Sequence, residues 1–289
     1  MTAGRERFHA LTVDLEEWHH LCGVAALDRV RDSLPSRVGE DTRRLLDLLD
    51  THDSRATFFI LGWVAERHPR LVQEIAAAGH EIASHGHAHR PAWELGPAGF
   101  TEDLDRSSRL IESIMGFRPP GHRSAAWSLG RADFDGLSCL ARAGYRYDSS
   151  LVPTALLGRR NLTPHPSRME TAFGAIDEWP PLTRRLPFGR VPLGFALGLR
   201  LTPNRFILAE LDRLAAQGRR AVLSIHPWEL SPDPPRVRLP LGLHLAHYAG
   251  LEGLERKLAA LLSIVRFERI DRLPAPSPDP RGPPAEDFG

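Results

Sequence analysis

The amino-acid sequence predicts an α/β protein, a distorted barrel of the (β/α)7 type that forms a single domain over residues 1–273. Short apolar segments rich in strand-forming residues alternate with segments of helical periodicity, and strands separated by helices pair in parallel. About seven such units fit into about 270 residues, which suits a barrel better than an open sheet. Polar and titratable side chains also follow several predicted strands, where the active sites of parallel β/α folds lie.

The individual elements are predicted from periodicity and from stop signals. The first strand, at 8–14, ends in Asp14, and the first helix, at 40–50, carries three leucines at helical spacing between charged residues. Further strands are predicted at 56–61, 81–84, 145–148, 176–179, 221–225 and 266–270. Further helices are predicted at 69–78, 101–116, 132–143, 204–216 and 251–262, and most of them end near a glycine.

Two regions interrupt this alternation. Residues 153–203 are rich in Pro, Arg and Gly and are predicted to form a long insertion with one strand around 176–179. Long loops of this kind are usually functional or mobile, and we expect this one to frame a functional cleft. Residues 274–289 read PAPSPDPRGPPAEDFG, a composition that cannot bury a core and predicts a disordered tail.

The composition of the chain argues against several classes of protein. The 37 basic and 36 acidic side chains give a net charge of +1, without the concentrated basic face that nucleic-acid binding needs. No run of 18 apolar residues is present, which excludes a membrane-spanning helix, and two cysteines imply no disulfide framework. Residues 1–7 are polar and lead into the first strand, so we expect no signal peptide and a cytoplasmic location, with association with the inner membrane face as an option. The sequence leaves the oligomeric state open.

The 14 histidines of the chain either decorate its surface or form a metal site. The densest group, SHGHAHR at 84–90, follows a predicted strand. On a helical turn His85 and His89 share a face and can reach one ion, whereas on an extended segment His87 joins them on that face. The alternative is a solvated histidine-rich loop. The position at a strand end favours the metal site.

Two further groups of titratable residues follow predicted strands. Asp14, Glu16 and Glu17 come after the first strand, where one carboxylate can bind a cation while another acts as a general base. The alternative is a helix start, which favours acidic residues. His226 ends a later strand and is fixed by the following proline, so it can act as a general acid. The alternative is a hydrogen-bonded core imidazole. Polar groups also occur at 121–124 and 147–150.

These residues lie in segments that resemble the polysaccharide deacetylases, the NodB-homology members of carbohydrate esterase family four. The segments are TVDLEEW (12–18), ATFFILGWVAERHPRLVQEIAAAGHEIASHGHAHR (56–90), GHRSAAWS (121–128), YRYDSSLVP (145–153), DEWP (177–180) and LSIHPWE (223–229). The TVDxE opening and the HPWE ending are similar to those of a branch often found in exopolysaccharide gene clusters. The resemblance covers roughly residues 8–270, and the stretch 56–90 and the HPWE ending are its specific parts.

The resemblance implies a divalent metal held by three side chains. The two metal histidines of the family, four apart, match His85 and His89. The carboxylate position falls on Glu16, with Glu17 as the less favoured alternative. His87 lies between the two histidines and is not a usual ligand. The expected metal is Zn²⁺, with Co²⁺ or Ni²⁺ as alternatives.

The resemblance also implies the catalytic roles. Asp14 matches the general base, and Arg123 would orient its carboxylate through charge-assisted hydrogen bonds. Asp148 matches the acidic residue that holds the acid histidine. His226 matches that histidine, which would protonate the leaving amine. Ser224 stands where many members of the family have Leu, so a difference is expected at the pocket for the acetyl methyl group.

The implied activity is metal-dependent hydrolysis of a C–N amide bond, which removes N-acetyl groups from an amino-sugar polysaccharide or oligosaccharide or from a lipid- or nucleotide-linked precursor. The alternatives are a cyclic amide or imide hydrolase of the allantoinase type, a sugar deformylase on the same fold, and a non-catalytic glycan-binding protein. Aromatic faces stack on sugar rings, and four tryptophans beside the site motifs are candidates for substrate binding: Trp18, Trp127, Trp179 and Trp228. Each can equally be a core residue, and we expect two of the four to face the cleft.

Overall fold

The computed structural model describes residues 8–154, 162–187 and 189–278, and its central element is a mainly parallel sheet. The strands are β1 His9–Leu15, β2 Thr57–Ile60, β3 Glu81–Ser84, β4 Gly121–His122, β5 Tyr147–Asp148, β6 Ser167–Thr171, β7 Gly174–Glu178, β8 Thr183–Leu186, β9 Gly189–Pro192, β10 Val222–Ile225 and β11 Phe267–Glu268. Within the described residues the order across the sheet is β10-β1-β2-β3-β4-β5-β7-β6, and β11 also pairs with β1. The β6–β7 pair is antiparallel and the other pairs of this sheet are parallel.

The chain that follows β7 links the two ends of the sheet. The N–H of Leu182 donates to the carbonyl of Val222 in β10 (2.9 Å), and the N–H of Ser224 donates to the carbonyl of Gly194 (2.8 Å). Irregular backbone therefore satisfies the edge that β10 would otherwise present to solvent. The sheet closes in this way into a distorted barrel, and the predicted fold class is confirmed.

Helices cover the outside of the sheet. They are α1 Ala25–Val30, α2 Val38–Thr51, α3 Gly62–Arg67, α4 Pro69–Ala77, α5 Ala92–Met115, α6 Gly136–Arg142, α7 Ala196–Leu201, α8 Asn204–Ala216, α9 Leu241–Tyr248 and α10 Leu254–Leu262. Short 3-10 turns lie at Arg31–Ser33, Ala125–Arg131, Pro227–Leu230 and Ile270–Arg272. In the part of the chain that the structure describes, none of these helices is long and apolar enough to cross a bilayer.

The core lies between the sheet and these helices. Every residue of β1 and β2 is buried, because both faces of a parallel sheet are covered. Leu45 and Leu49 of α2 and Val72 and Ile75 of α4 belong to the same buried cluster. Their spacing of three or four residues places each pair on the inner face of its helix.

The insertion holds more regular structure than the sequence predicts. The expectation of one strand within 153–203 is wrong, because the described part of this region contains the hairpins β6–β7 and β8–β9 and the helix α7. In β6 the buried Ser167 and Met169 alternate with the exposed Arg168 and Glu170. Hairpin strands that are exposed on one face carry polar residues there. Their composition is therefore similar to that of a loop, which is why composition does not predict them.

Two predicted boundaries also differ. The helix expected from Thr101 begins earlier, at Ala92, and is interrupted at Gly96, whose φ of 65° is left-handed; the helix resumes at Pro97, a residue that suits a first helical position. The predicted tail begins later than residue 274, since the carbonyl of Ser277 accepts a hydrogen bond from the N–H of Arg168 in β6 (2.9 Å). Residues 279–289, which make up the rest of that predicted tail, lie outside the described residues, as do residues 155–161 of the insertion.

Candidate metal and catalytic site

The strand order brings four of the predicted site motifs to one edge of the sheet. β1 lies between β10 and β2, and β3 and β4 follow β2 in the sheet. The segments after β1, β3, β4 and β10 therefore meet at the carboxyl ends of the strands. Polar groups that are as much as 200 residues apart in sequence become neighbours there, as the contacts below describe.

Glu16, His85 and His89 converge on one point. One potential ligand atom from each of the three lies within 4.8 Å of the other two. Nε2 of His89 lies 2.5 Å from Oε2 of Glu16, yet this oxygen has no hydrogen-bond partner of suitable geometry among the described residues. Burial lowers the pKa of His89, but the Glu16 carboxylate outweighs burial and raises this pKa well above its ordinary value. A bound cation would take the place of the imidazole proton, and two imidazoles with one carboxylate form a donor set typical of catalytic zinc.

The backbone carbonyl of Arg123 orients His85. Nδ1 of His85 lies 2.7 Å from this oxygen, and because a carbonyl only accepts, Nδ1 carries the proton. Nε2 of His85 is then left with its lone pair, in the tautomer that binds a metal. Burial lowers the pKa of His85 to about 4, which keeps the imidazole neutral near pH 7.

The loop after β3 brings the two histidines together in an irregular turn, neither helical nor extended. Gly86 and His89 both adopt left-handed φ, at 69° and 54°. The carboxylate of Asp103 in α5 accepts hydrogen bonds from the N–H of His87 (2.7 Å) and the N–H of Ala88 (3.0 Å). The carboxylate therefore fixes the turn, and the side chain of His87 points elsewhere, toward Glu66 at 3.0 Å.

The two neighbouring carboxylates after β1 have different surroundings. Glu17 accepts hydrogen bonds from the hydroxyl of Ser36 (2.5 Å) and the N–H of Arg37 (3.0 Å). Its oxygens are used in holding the chain before α2, so Glu17 does not face the histidines. Burial favours the neutral form of Glu16, but the nearby His89 and His226 outweigh burial and lower its pKa below the ordinary value. Glu16 is therefore the anionic member of the cluster.

Asp14 and Arg123 form a buried ion pair beside this cluster. Nη1 of Arg123 donates to Oδ1 of Asp14 at 2.6 Å and to the hydroxyl of Ser224 at 3.0 Å. Nε and Nη2 donate to the carbonyl and hydroxyl oxygens of Ser149. The guanidinium is therefore held on three sides, and Oδ2 of Asp14 remains directed toward Nε2 of His226, 3.9 Å away.

The expected pairing of Asp148 with His226 is wrong. Asp148 lies at the end of β5 and accepts hydrogen bonds from Nδ1 of His122 (3.1 Å) and from the N–H and hydroxyl of Ser150. His226 is held instead by Glu229, whose Oε2 accepts from its N–H (2.9 Å) and lies 3.1 Å from its Nδ1. Glu229 holds His226 because the 3-10 turn after β10 places the side chain of Glu229, three residues further along the chain, directly beside the imidazole.

Glu229 also controls the charge of His226. Burial alone lowers the pKa of His226, but the carboxylates of Glu229 and Glu16 outweigh it and raise this pKa to about 9. Since Nδ1 faces Glu229, the Nε2 proton of His226 points toward Glu16 at 3.4 Å and Asp14. Glu229 is not among the residues predicted for the site, although its spacing of three from a histidine followed by proline is a capping-box pattern.

Cys22 and His20 also lie near the cluster, and neither is predicted from the sequence. Sγ of Cys22 lies 3.5 Å from Nδ1 of His89. The ring of His20 lies 5.6 Å from that of His89, and its Nδ1 accepts from the N–H of Glu17. Nothing in the sequence near Cys22 distinguishes it, because its contact depends on the fold of the loop that follows β1.

The four candidate tryptophans divide into two pairs. Trp18 and Trp179 are buried, and Nε1 of Trp18 donates to the carbonyl of Pro35 (3.0 Å). Both rings pack in buried apolar clusters, and a role for them in substrate binding stays a prediction. Trp127 is half-buried with the guanidinium of Arg123 over its ring. Trp228 is buried in the same apolar cluster as Trp18, but its ring lies 5.5 Å from that of His226. This second pair borders the site.

Comparison with known proteins finds two family models that match this chain. Residues 32–147 match the polysaccharide deacetylase family, and residues 149–275 match a domain of unknown function, DUF3473. His85, His89 and Arg123 lie in the first match and His226 lies in the second. Asp14 and Glu16 precede both, so the geometry rather than the match connects them to the rest.

Curated relatives cover part of the chain. A peptidoglycan deacetylase-like protein, FGM2, of Gibberella zeae is 38% identical over 117 residues, which is 40% of this chain and 33% of that protein. A chitooligosaccharide deacetylase of Bradyrhizobium is 32% identical over 103 residues, 36% of this chain and 46% of that protein. The alignments thus span less than half of either relative.

A solved structure shares the fold over most of the chain. It comes from a Mycobacterium smegmatis protein assigned to the polysaccharide deacetylases and has a TM-score of 0.60 at 24% identity. The alignment covers 90% of this chain and 85% of that one. The likeness supports the distorted barrel architecture.

Proposed function

We propose that this chain, whose residues 32–147 match the polysaccharide deacetylase family, removes N-acetyl groups from an amino-sugar polysaccharide or oligosaccharide, or from a lipid- or nucleotide-linked precursor. The observation that carries this proposal is the convergence of a three-residue metal site with a base and an acid on one edge of the sheet. Relatives named for deacetylation of peptidoglycan and chitooligosaccharides support the substrate class. The resemblance of the TVDxE and HPWE segments supports an exopolysaccharide among these substrates.

Glu16, His85 and His89 would hold the divalent metal, which we propose to be Zn²⁺, with Co²⁺ or Ni²⁺ as alternatives. The donor set of two imidazoles and one carboxylate supports this choice. A metal bound there would polarise the amide carbonyl and acidify a water.

Asp14 would act as the general base. Its Oδ1 is held by Arg123 at 2.6 Å, so Oδ2 is the oxygen that takes a proton from the attacking water. The water oxygen forms a bond with the acetyl carbon. Arg123 holds the carboxylate in place, and its own burial and hydrogen bonds prevent it from moving with the reaction.

His226 would act as the general acid. The pKa of about 9 keeps it protonated at neutral pH, and Glu229 at Nδ1 directs the Nε2 proton toward the site. This proton passes to the sugar nitrogen as the C–N bond breaks. The products are acetate and a free amino sugar. A base and an acid with opposite charge states at one pH are what this reaction requires.

The test is a metal-reconstituted assay that measures acetate released from a panel of N-acetylated amino sugars and their oligomers. Allantoin-like cyclic amides and N-formyl sugars are assayed in parallel, because an enzyme of either alternative class would turn these over instead. Metal bound per chain is measured by atomic emission on the same samples. A protein that holds one metal per chain and releases product from none of these substrates would contradict the proposal and favour a glycan-binding protein.

Two variants assign the roles. His85→Ala is expected to lose the bound metal together with activity. Asp14→Asn is expected to retain the metal while the rate of acetate release falls by about 10²–10⁴, the usual contribution of a general base. Undiminished activity of Asp14→Asn would remove Asp14 as the base and leave the metal site standing.

A further inference from the structure

Helix α9 presents an unusual number of leucines to solvent. Leu241 is 74% exposed, Leu245 51% and Leu243 39%. Leu241 and Leu245 are four residues apart and therefore share one face of the helix. Leu201, at the end of α7, is 57% exposed and lies against Gly250 just after α9. Contiguous exposed apolar surface of this kind usually marks an interaction site.

The sequence around α9 is uncharged over 13 residues and is preceded by two arginines. Residues 239–251 contain no Asp, Glu, Lys or Arg. Arg236 and Arg238 come directly before this stretch, and both are exposed. The guanidinium of Arg236 lies 5.2 Å from the ring centroid of Tyr248 in α9, so the positive charge flanks the leucines in space as well as in sequence.

We propose that α9, with Arg236 and Arg238, is a membrane-docking surface that binds anionic phospholipid bilayers. A short helix with an apolar face and flanking arginines lies in the interfacial region, where leucines enter the acyl boundary and guanidinium groups contact lipid phosphates. The surface is a convex helix rather than a groove, which suits a bilayer better than a peptide. This proposal does not depend on the hydrolysis proposed above.

Docking through α9 would place the candidate site at the lipid surface. His247 of α9 stacks on Trp228, with ring centroids 4.3 Å apart, and Trp228 lies two residues after His226. Arg200, next to the exposed Leu201, donates to the carbonyls of α9 and lies 3.4 Å from Glu229. The helix that meets the membrane is thus joined through buried contacts to the residues that hold the candidate acid.

A second copy of this chain is the competing occupant, and the charges argue against it. A twofold dimer buries the same patch of both subunits against itself. That arrangement would bring Arg236 and Arg238 close to the same arginines of the other copy. Like charges that face each other at an interface are unfavourable, whereas a bilayer with anionic headgroups neutralises them.

Vesicle flotation tests the proposal with the intact chain. The protein is mixed with vesicles of phosphatidylcholine alone or of phosphatidylcholine with phosphatidylglycerol, and the bound fraction is measured at several salt concentrations. We expect binding to the anionic vesicles that weakens as salt rises, since the arginine contribution is screened. The double variant Leu241→Ser with Leu245→Ser is expected to bind at least about tenfold more weakly, and Arg236→Gln with Arg238→Gln to lose most of the preference for anionic lipid.

Ile264→Ser is the matched control. Ile264 is 67% exposed and precedes β11, which pairs with the first residues of β1, so it lies at the opposite end of the barrel. Circular dichroism melting checks that each variant folds, and light scattering gives the mass in solution. Absence of wild-type binding, or equal binding by the leucine variant, would overturn the proposal. A dimer that the leucine variant converts to a monomer would assign the face to self-association instead.

Discussion

Replacement of Glu229 by Gln is the sharpest test of how the candidate acid is held. Glutamine keeps the shape of the side chain and removes its charge. Glu229 is the larger of the two main carboxylate influences that raise the pKa of His226 from the ordinary 6.5 to about 9. That difference corresponds to about 3 kcal/mol of net preference for the protonated imidazole. We therefore expect the pKa of His226 in Glu229→Gln to fall toward the ordinary value.

The pH profile reads out this change directly. A general acid works while it is protonated, so activity is lost as pH rises through its pKa. In Glu229→Gln the decrease in the rate of acetate release at high pH, the basic limb of the pH profile, should move to lower pH. The rate at the optimum pH should also fall by about 10–10²-fold, because the imidazole loses the partner that orients it. The His226 ring proton, followed by NMR in the metal-free protein, measures the pKa independently of catalysis.

The same substitution should alter folding stability with a defined sign. A histidine whose pKa is raised in the folded state adds stability below its unfolded pKa, and this contribution is lost as pH rises through the folded pKa. For His226 the window runs from 6.5 to about 9. The free energy of unfolding of the wild type should fall across this window, and that of Glu229→Gln should fall much less.

Asp148→Asn is the control that separates the two possible partners. Asp148 contacts His122 rather than His226, so its replacement should leave the basic limb in place, whatever it does to stability. The reasoning would be refuted if Asp148→Asn moved the basic limb while Glu229→Gln left it unchanged.

Three further expectations follow from the same contacts. After dialysis, atomic emission should show that Glu16→Gln has lost its bound metal and that Glu17→Gln has retained it. Metal loss in Glu17→Gln alone would identify Glu17 rather than Glu16 as the ligand. Asp103→Ala removes the acceptor of two loop N–H groups and should weaken metal affinity by about 10–100-fold in a competition titration with a chelator, and unchanged affinity would show that the turn needs no such anchor. Burial raises the pKa of Glu81 to about 7, so the free energy of unfolding should decrease by about 3 kcal/mol as pH rises from 4.5 to 7. Chemical denaturation of Glu81→Gln should show no such decrease. If the decrease persisted in this variant, Glu81 would be excluded as its source.

The fold class and most residues of the candidate site are predictable from the amino-acid sequence. Alternating strands and helices permit few topologies, and in a parallel barrel the segments after successive strands must meet at one end. For that reason Asp14, His85, His89, Arg123 and His226 could be grouped from sequence, although they are distant along the chain. The spacing of four, the position at a strand end and the family resemblance together predict His85 and His89 as a metal pair, but they do not predict the irregular turn that brings the two side chains together.

Other assignments require the three-dimensional structure, because several side chains are equivalent in sequence. Glu16 and Glu17 are adjacent and chemically alike. Only Glu17 accepts hydrogen bonds from Ser36 and Arg37, which keep its carboxylate away from the metal site. Glu229 rather than Asp148 holds His226, because a 3-10 turn supplies a closer carboxylate than β5 does. Side-chain pairing in loops depends on contacts with distant segments and on burial. Periodicity and spacing, which report only local geometry, do not contain that information.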